Sequence, residues 1–136
     1  MSFLLDAGSL AQLDTCAPDL ARVIQRAAVL SPFPFRVLLG FRDQAAQEAA
    51  FAAGLTQEHW PNGKHNQQPS EATDLAPVPI DWKDTARFTF LAGVVMAAAK
   101  LEGVDVRWGG DWAENGRLRF NHFNDLGHFE IVEAAA

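Results

Sequence analysis

The stretch DTARFTFLAGVVMAAAKLEG, residues 84–103, constrains the fold of this chain more than any other. Asp84 stands where a helix N-cap belongs, and Gly103 stands where a helix stops. The apolar run inside it, FTFLAGVVMAAA over 88–99, is too short to span a bilayer and is flanked by charges. It therefore reads as a helix of a folded domain, and no stable membrane binding is expected. Two further helices are predicted. APDLARVIQRAAVL (17–30) has Pro18 in its first turn and Leu20, Val23, Ile24, Ala27 and Ala28 on one face. The Ala- and Gln-rich segment over about 43–53 is closed by Gly54.

Between these helices lie short strand-like runs: FPFRVLLGF over roughly 35–40, ATDLAPVPI, VDVRW and HFEIV. ATDLAPVPI is expected to break at its prolines. Residues 55–70 are polar and irregular, and a long loop, GGDWAENGRLRFNHFND, separates the last two strands. Helices and short strands so interspersed predict an α+β fold: one compact domain over 1–136, with a small antiparallel sheet flanked by helices. At 136 residues the chain can bury a core of its own.

Charge and cysteine content narrow the function. A net charge of −6 argues against nucleic-acid binding, which needs a surplus of Lys and Arg facing phosphate. Cys16 stands alone, so neither an intrachain disulfide nor a Cys-based metal site can form, and it reads as a small buried apolar residue. The opening MSFLLDAGSLAQLD lacks the basic start of a signal peptide. The expectation is synthesis in a cytoplasm, with another protein needed to let the chain out.

Four histidines are available: His59, His65, His122 and His128. A lone histidine is more often a surface residue than a ligand, and that is the reading for His59 and His122. His65 ends a polar loop entering the strand that carries Asp74, and His128 begins the last strand. Two imidazoles and a carboxylate suit Zn²⁺ and leave a fourth tetrahedral position for water, which then titrates near neutrality. The His-x8-Asp spacing is not itself a specific pattern. Asp125, three residues before His128, can serve as the base, or can cap the turn in FNDLG. Glu130 competes for the role, because two positions along a strand it shares the face of His128. Arg42 can hold a substrate carboxylate, or pair locally. Trp108, Trp112, Phe123 and Phe129 read first as core, with Trp112 the best candidate for a wall facing substrate.

Five stretches, LLGFRDQAAQEAAFAAG, KHNQQPSEATDLAPVPIDW, RFTFLAGVV, VRWGGDW and FNDLGHFE, occur in an order that resembles the zinc D-alanyl-D-alanine carboxypeptidase family. The nearest likeness is to its phage endolysin branch of L-alanyl-D-glutamate endopeptidases. The resemblance covers about Val37 to Ile131, and RWGGDW and the terminal Asp-x-x-His-Phe-Glu are its specific parts. It implies a hedgehog/DD-peptidase-like fold with a catalytic core over about 35–132. It implies one Zn²⁺ per chain on His65, Asp74 and His128, Asp125 as catalytic acid and base, and Arg42 on the substrate or the oxyanion. The implied substrate is the peptidoglycan stem peptide. The implied setting is a monomer made in the host cytoplasm that reaches the periplasmic wall with a holin-type partner.

The pattern departs from that family at three places. Gly63 stands where a serine is usual, His65 and Asp74 are two residues further apart, and Gly127 replaces the usual proline. These changes imply one supporting hydrogen bond fewer and a looser loop before His128. Two other functions fit the same residues: release of terminal D-alanine, and non-catalytic wall binding on the same scaffold.

Overall fold

The computed structural model describes residues 3–114, 116 and 125–132. Helix α4 (Thr85–Glu102) is the centrepiece. The Asp84 side chain accepts a hydrogen bond from the Arg87 amide at its start, and Gly103 ends it at φ 69, a left-handed conformation that glycine adopts without steric cost. Phe88, Leu91, Ala92, Val95, Ala98 and Ala99 form its buried stripe. That stripe packs against helix α2 (Pro18–Leu30), which buries Leu20, Val23, Ile24, Ala27 and Ala28. Among the described residues no helix is long and apolar enough to cross a membrane.

Four strands form one antiparallel sheet in the order β1-β2-β4-β3: β1 (Phe35–Leu39), β2 (Ala72–Pro77), β3 (Val106–Trp108) and β4 (His128–Ile131). The sheet's core face supplies Phe35, Val37, Leu75, Val106, Trp108 and Phe129 to the same apolar cluster as α2 and α4. The architecture is the expected α+β domain. β2 runs as far as Pro77 before the chain turns away, so the first proline ends the strand in register with Phe35. Helix α3 (Gln44–Ala52) follows β1, with Asp43 capping its start and Gly54 at φ 76 just past its end.

The N-terminal segment contains a helix, α1 (Ala7–Leu13), that sequence periodicity did not announce. It lies along β1, a strand at the edge of the sheet. Three side chains accept from backbone amides there: Ser9 Oγ from Val37 at 2.9 Å, Gln12 Oε1 from Gly40 at 3.0 Å and Thr15 Oγ1 from Phe41 at 2.9 Å. Edge donors that would otherwise stand open are thus occupied. Cys16, just beyond, is buried as expected, and burial pushes its thiol up to about 11.

Candidate metal centre and active site

The second half of the sheet brings the candidate ligands together. Asp74 in β2 and His128 in β4 are direct partners across the ladder, so their side chains leave the same face side by side. His65 comes from a single 3₁₀ turn, Lys64–Asn66, placed over that face. His65 Nε2 lies 3.1 Å and His128 Nδ1 3.3 Å from one oxygen, Asp74 Oδ1. Ligands about 2.0–2.1 Å from a tetrahedral Zn²⁺ stand about 3.3 Å apart, so the spacing suits a cation. Among the described residues this is the group of His, Cys, Asp and Glu side chains that could hold a metal ion.

Both imidazoles are locked from behind. His65 Nδ1 donates to the Gly40 carbonyl at 2.7 Å, and His128 Nε2 donates to Glu130 Oε1 at 2.8 Å. A carbonyl oxygen can only accept, so His65 keeps its proton on Nδ1 and turns Nε2 to the centre. The Glu130 carboxylate holds the proton of His128 on Nε2 in the same way and leaves Nδ1 for a metal. Burial works against a charge on His128, but its hydrogen bonds to Asp74 and Glu130 overcome this and raise it to about 9. Burial likewise opposes ionisation of Asp74, yet the charge of His65 and the His128 hydrogen bond hold its carboxyl well below the usual range.

Asp125 stands at the edge of the cluster, its Oδ2 3.9 Å from His128 Nδ1 and its side chain part-exposed. Burial, then the negative charge of Asp74, raises its carboxyl to about 6. Arg42 approaches from the other side, with Nη2 3.9 Å from Asp74 Oδ2. A cavity of about 370 Å³ opens over the cluster, lined by both histidines, Arg42, Asp125 and Trp112. The Trp112 ring lies 5.5 Å from the His128 ring, on the cavity wall as anticipated, whereas Trp108 and Phe129 belong to the core.

Glu130 shares the face of His128, but its oxygens are taken by His128 and by Arg107 Nη2 at 2.8 Å. It is buried as a supporting carboxylate, held at about 2 by those two partners against the effect of burial. Three supporting residues went unmarked in the sequence: Gln47, Asn66 and Arg107. Gln47 is fully buried, its Oε1 accepting from Arg42 at 3.2 Å and Asn66 at 2.9 Å while Nε2 donates to the Glu58 carbonyl at 2.7 Å. His59 is exposed and paired with Glu48 at 3.1 Å. His122 and Phe123 lie outside the described residues.

Two of the family departures have local answers. The Gly63 amide donates to Asn66 Oδ1 at 2.9 Å, so a side chain from within the turn supplies a bond here. The loop before His128 is pinned, contrary to the looser loop expected: Leu75 donates to the Gly127 carbonyl at 2.8 Å and His128 to that of Asp125 at 3.1 Å. A methyl group on Gly127 would run into the Leu75 carbonyl, and one on Gly109 into the carbonyl of Asp125. Gly109→Ala is therefore expected to cost about 1–3 kcal/mol, as overpacking does, and to displace Asp125. Thermal denaturation should show the loss, and an unchanged melting temperature would refute it.

Residues 1–132 match the family model for phage L-alanyl-D-glutamate peptidase. The chain belongs to that family. It is 32% identical over 139 residues to the L-alanyl-D-glutamate peptidase of Escherichia phage T5, across 97% of this chain and 100% of that protein. The crystal structure of the Serratia marcescens L-Ala D-Glu endopeptidase ChiX matches with a TM-score of 0.76 at 29% identity, covering 95% of this chain and 90% of that one. The match to a phage L-alanyl-D-glutamate peptidase model begins at residue 1, so it takes in α1 and α2, which lie ahead of the core expected over 35–132.

Proposed function

We propose that this member of the phage L-alanyl-D-glutamate peptidase family is a zinc-dependent peptidoglycan hydrolase acting on the L-Ala–D-Glu amide of the stem peptide. The observation that carries it is the convergence of His65 Nε2, Asp74 Oδ1 and His128 Nδ1 with both imidazole protons fixed on the far side. This donor set, two imidazoles and one carboxylate, is one that zinc hydrolases use. When bound, the cation supplies Lewis acidity to the scissile carbonyl and eases deprotonation of water.

The rest falls to side chains of the chain. The Asp125 carboxylate takes a proton from the attacking water as the new C–O bond forms. It delivers that proton to the amide nitrogen as the C–N bond breaks, releasing a carboxylate and an amine. Without the cation, burial and the charge of Asp74 raise this carboxyl to about 6; a bound cation would lower it and favour the carboxylate that accepts the proton. Arg42, steadied by Gln47, donates to the oxygen that gains charge. Trp112 walls the cavity against water. The reading takes 1–136 as one zinc peptidase domain, a monomer that needs a holin-type partner to reach the wall.

Purified protein is expected to carry one zinc per chain and to clear permeabilised Gram-negative cells, with clearing lost in chelator and restored by Zn²⁺. Digestion of purified muropeptides, read by mass spectrometry, should yield products cut between L-Ala and D-Glu. Release of free D-alanine instead would defeat the assignment. Zinc affinity should also depend on pH in a definite sense. His128 is raised to about 9 without metal, so below that value zinc must displace a proton from Nδ1. Apparent affinity should therefore fall as pH is lowered, about tenfold per unit for one displaced proton. Chelator-competition titrations from pH 8 to 6 measure it, and a flat profile would contradict a proton on His128 Nδ1 over that range.

A further inference from the structure

Beside His128, on the wall of the same cavity, lies a line of charged groups to which the proposed mechanism gives no role. His128 Nε2 donates to Glu130 Oε1 and Arg107 Nη2 donates to Glu130 Oε2, both at 2.8 Å. Glu130 and Arg107 are direct partners across the β3–β4 ladder, on the face opposite the buried neighbours Trp108 and Phe129. The Glu130 side chain is only 8% exposed, and that of Arg107 is 35% exposed. The Arg107 guanidinium sits 5.6 Å from the centre of the Trp112 ring, which itself tilts against His128. Arg107 Nε is buried with no hydrogen-bond partner among the described residues. The guanidinium is thus held through Nη2 by Glu130 and by the tryptophan ring, while its Nε goes without a partner.

We propose that Arg107 is a positioning residue for the metal site, acting on His128 through Glu130. The inference rests on the reading of His128 as a metal ligand. Once Nδ1 gives its lone pair to a cation, the imidazole is formally neutral and no longer balances the charge of Glu130. Arg107 is then the cation hydrogen-bonded to this buried carboxylate, and a buried carboxylate without one is strongly destabilised. Without Arg107, Glu130 turns toward solvent, and His128 loses the acceptor that fixes its proton on Nε2 and its Nδ1 on the metal.

The test is zinc affinity without substrate, measured by chelator competition on wild type, Arg107→Met, Arg107→Lys and Glu130→Gln. Arg107→Met and Glu130→Gln should each bind zinc about 10–100-fold more weakly, the range that loss of an outer-shell partner commands. Arg107→Lys keeps the charge and should recover most of the affinity. Circular dichroism checks that each variant is folded; should Arg107→Met not fold, Arg107→Gln, which removes the charge and keeps a polar end, takes its place with the same expected loss. Wild-type affinity in folded Arg107→Met overturns the proposal, and unchanged affinity with a raised KM would place Arg107 on substrate instead. If wild type itself takes up no zinc, the reading of the metal site fails and this proposal fails with it.

Discussion

Asp125→Asn should leave one zinc bound per chain and reduce wall lysis about 100- to 10,000-fold, the range a positioned acid–base group contributes. The two results separate because Asp125 stands beside the ligand cluster without belonging to it, 3.9 Å from His128 Nδ1. Its backbone holds the turn: the amide donates to Gly109 at 3.0 Å and the carbonyl accepts from His128. A side-chain change of the same shape therefore keeps the loop and removes only the group that accepts the proton. Metal content by atomic absorption and turbidity loss of permeabilised cells measure the two quantities. Unimpaired lysis by the asparagine variant would remove Asp125 from the mechanism.

His65→Ala and His128→Ala should behave differently, losing zinc and lysis together. Each deletes one of the two imidazole ligand atoms gathered around the third, Asp74 Oδ1, so the affinity loss should exceed the about 10–100-fold typical of outer-shell partners. The damage also reaches the buried carboxylate. Asp74 is held ionised by its two imidazole neighbours, and removing either leaves it less compensated. Full retention of zinc by either alanine variant would place the metal elsewhere. Comparing these variants with Asp125→Asn distinguishes holding the cation from moving the proton.

Elements whose signals are local were legible from the residues alone. Asp84 and Gly103 bracket α4 within a residue at each end, and the apolar stripe of α2 is the one its periodicity predicts. Helix α1 was missed because its partners, the amides of Val37, Gly40 and Phe41, are distant in the chain. The site was half legible. Spacing could nominate His65, Asp74 and His128 but could not bring them together, since the β2–β4 register that pairs Asp74 with His128 is long-range. The choice between Asp125 and Glu130 stayed open on sequence because both lie close to His128. In the structure both carboxylates line the cavity, but the oxygens of Glu130 are taken by His128 and Arg107, whereas Asp125 stands part-exposed beside His128 Nδ1. Gln47 and Asn66 gave no chemical hint, since their worth comes from burial against Arg42.

The pairing of Asp74 with His128 has a consequence for the timing of activity during synthesis. The ribosome delivers His65 and Asp74 well before His128, and β4 is a four-residue strand near the end of the described chain. A nascent or truncated polypeptide lacking that strand offers one imidazole and one carboxylate, too few for a firm grip on a cation. On the proposed ligand set, hydrolytic competence arrives only when β4 joins the sheet, and a chain lacking that strand holds no complete site.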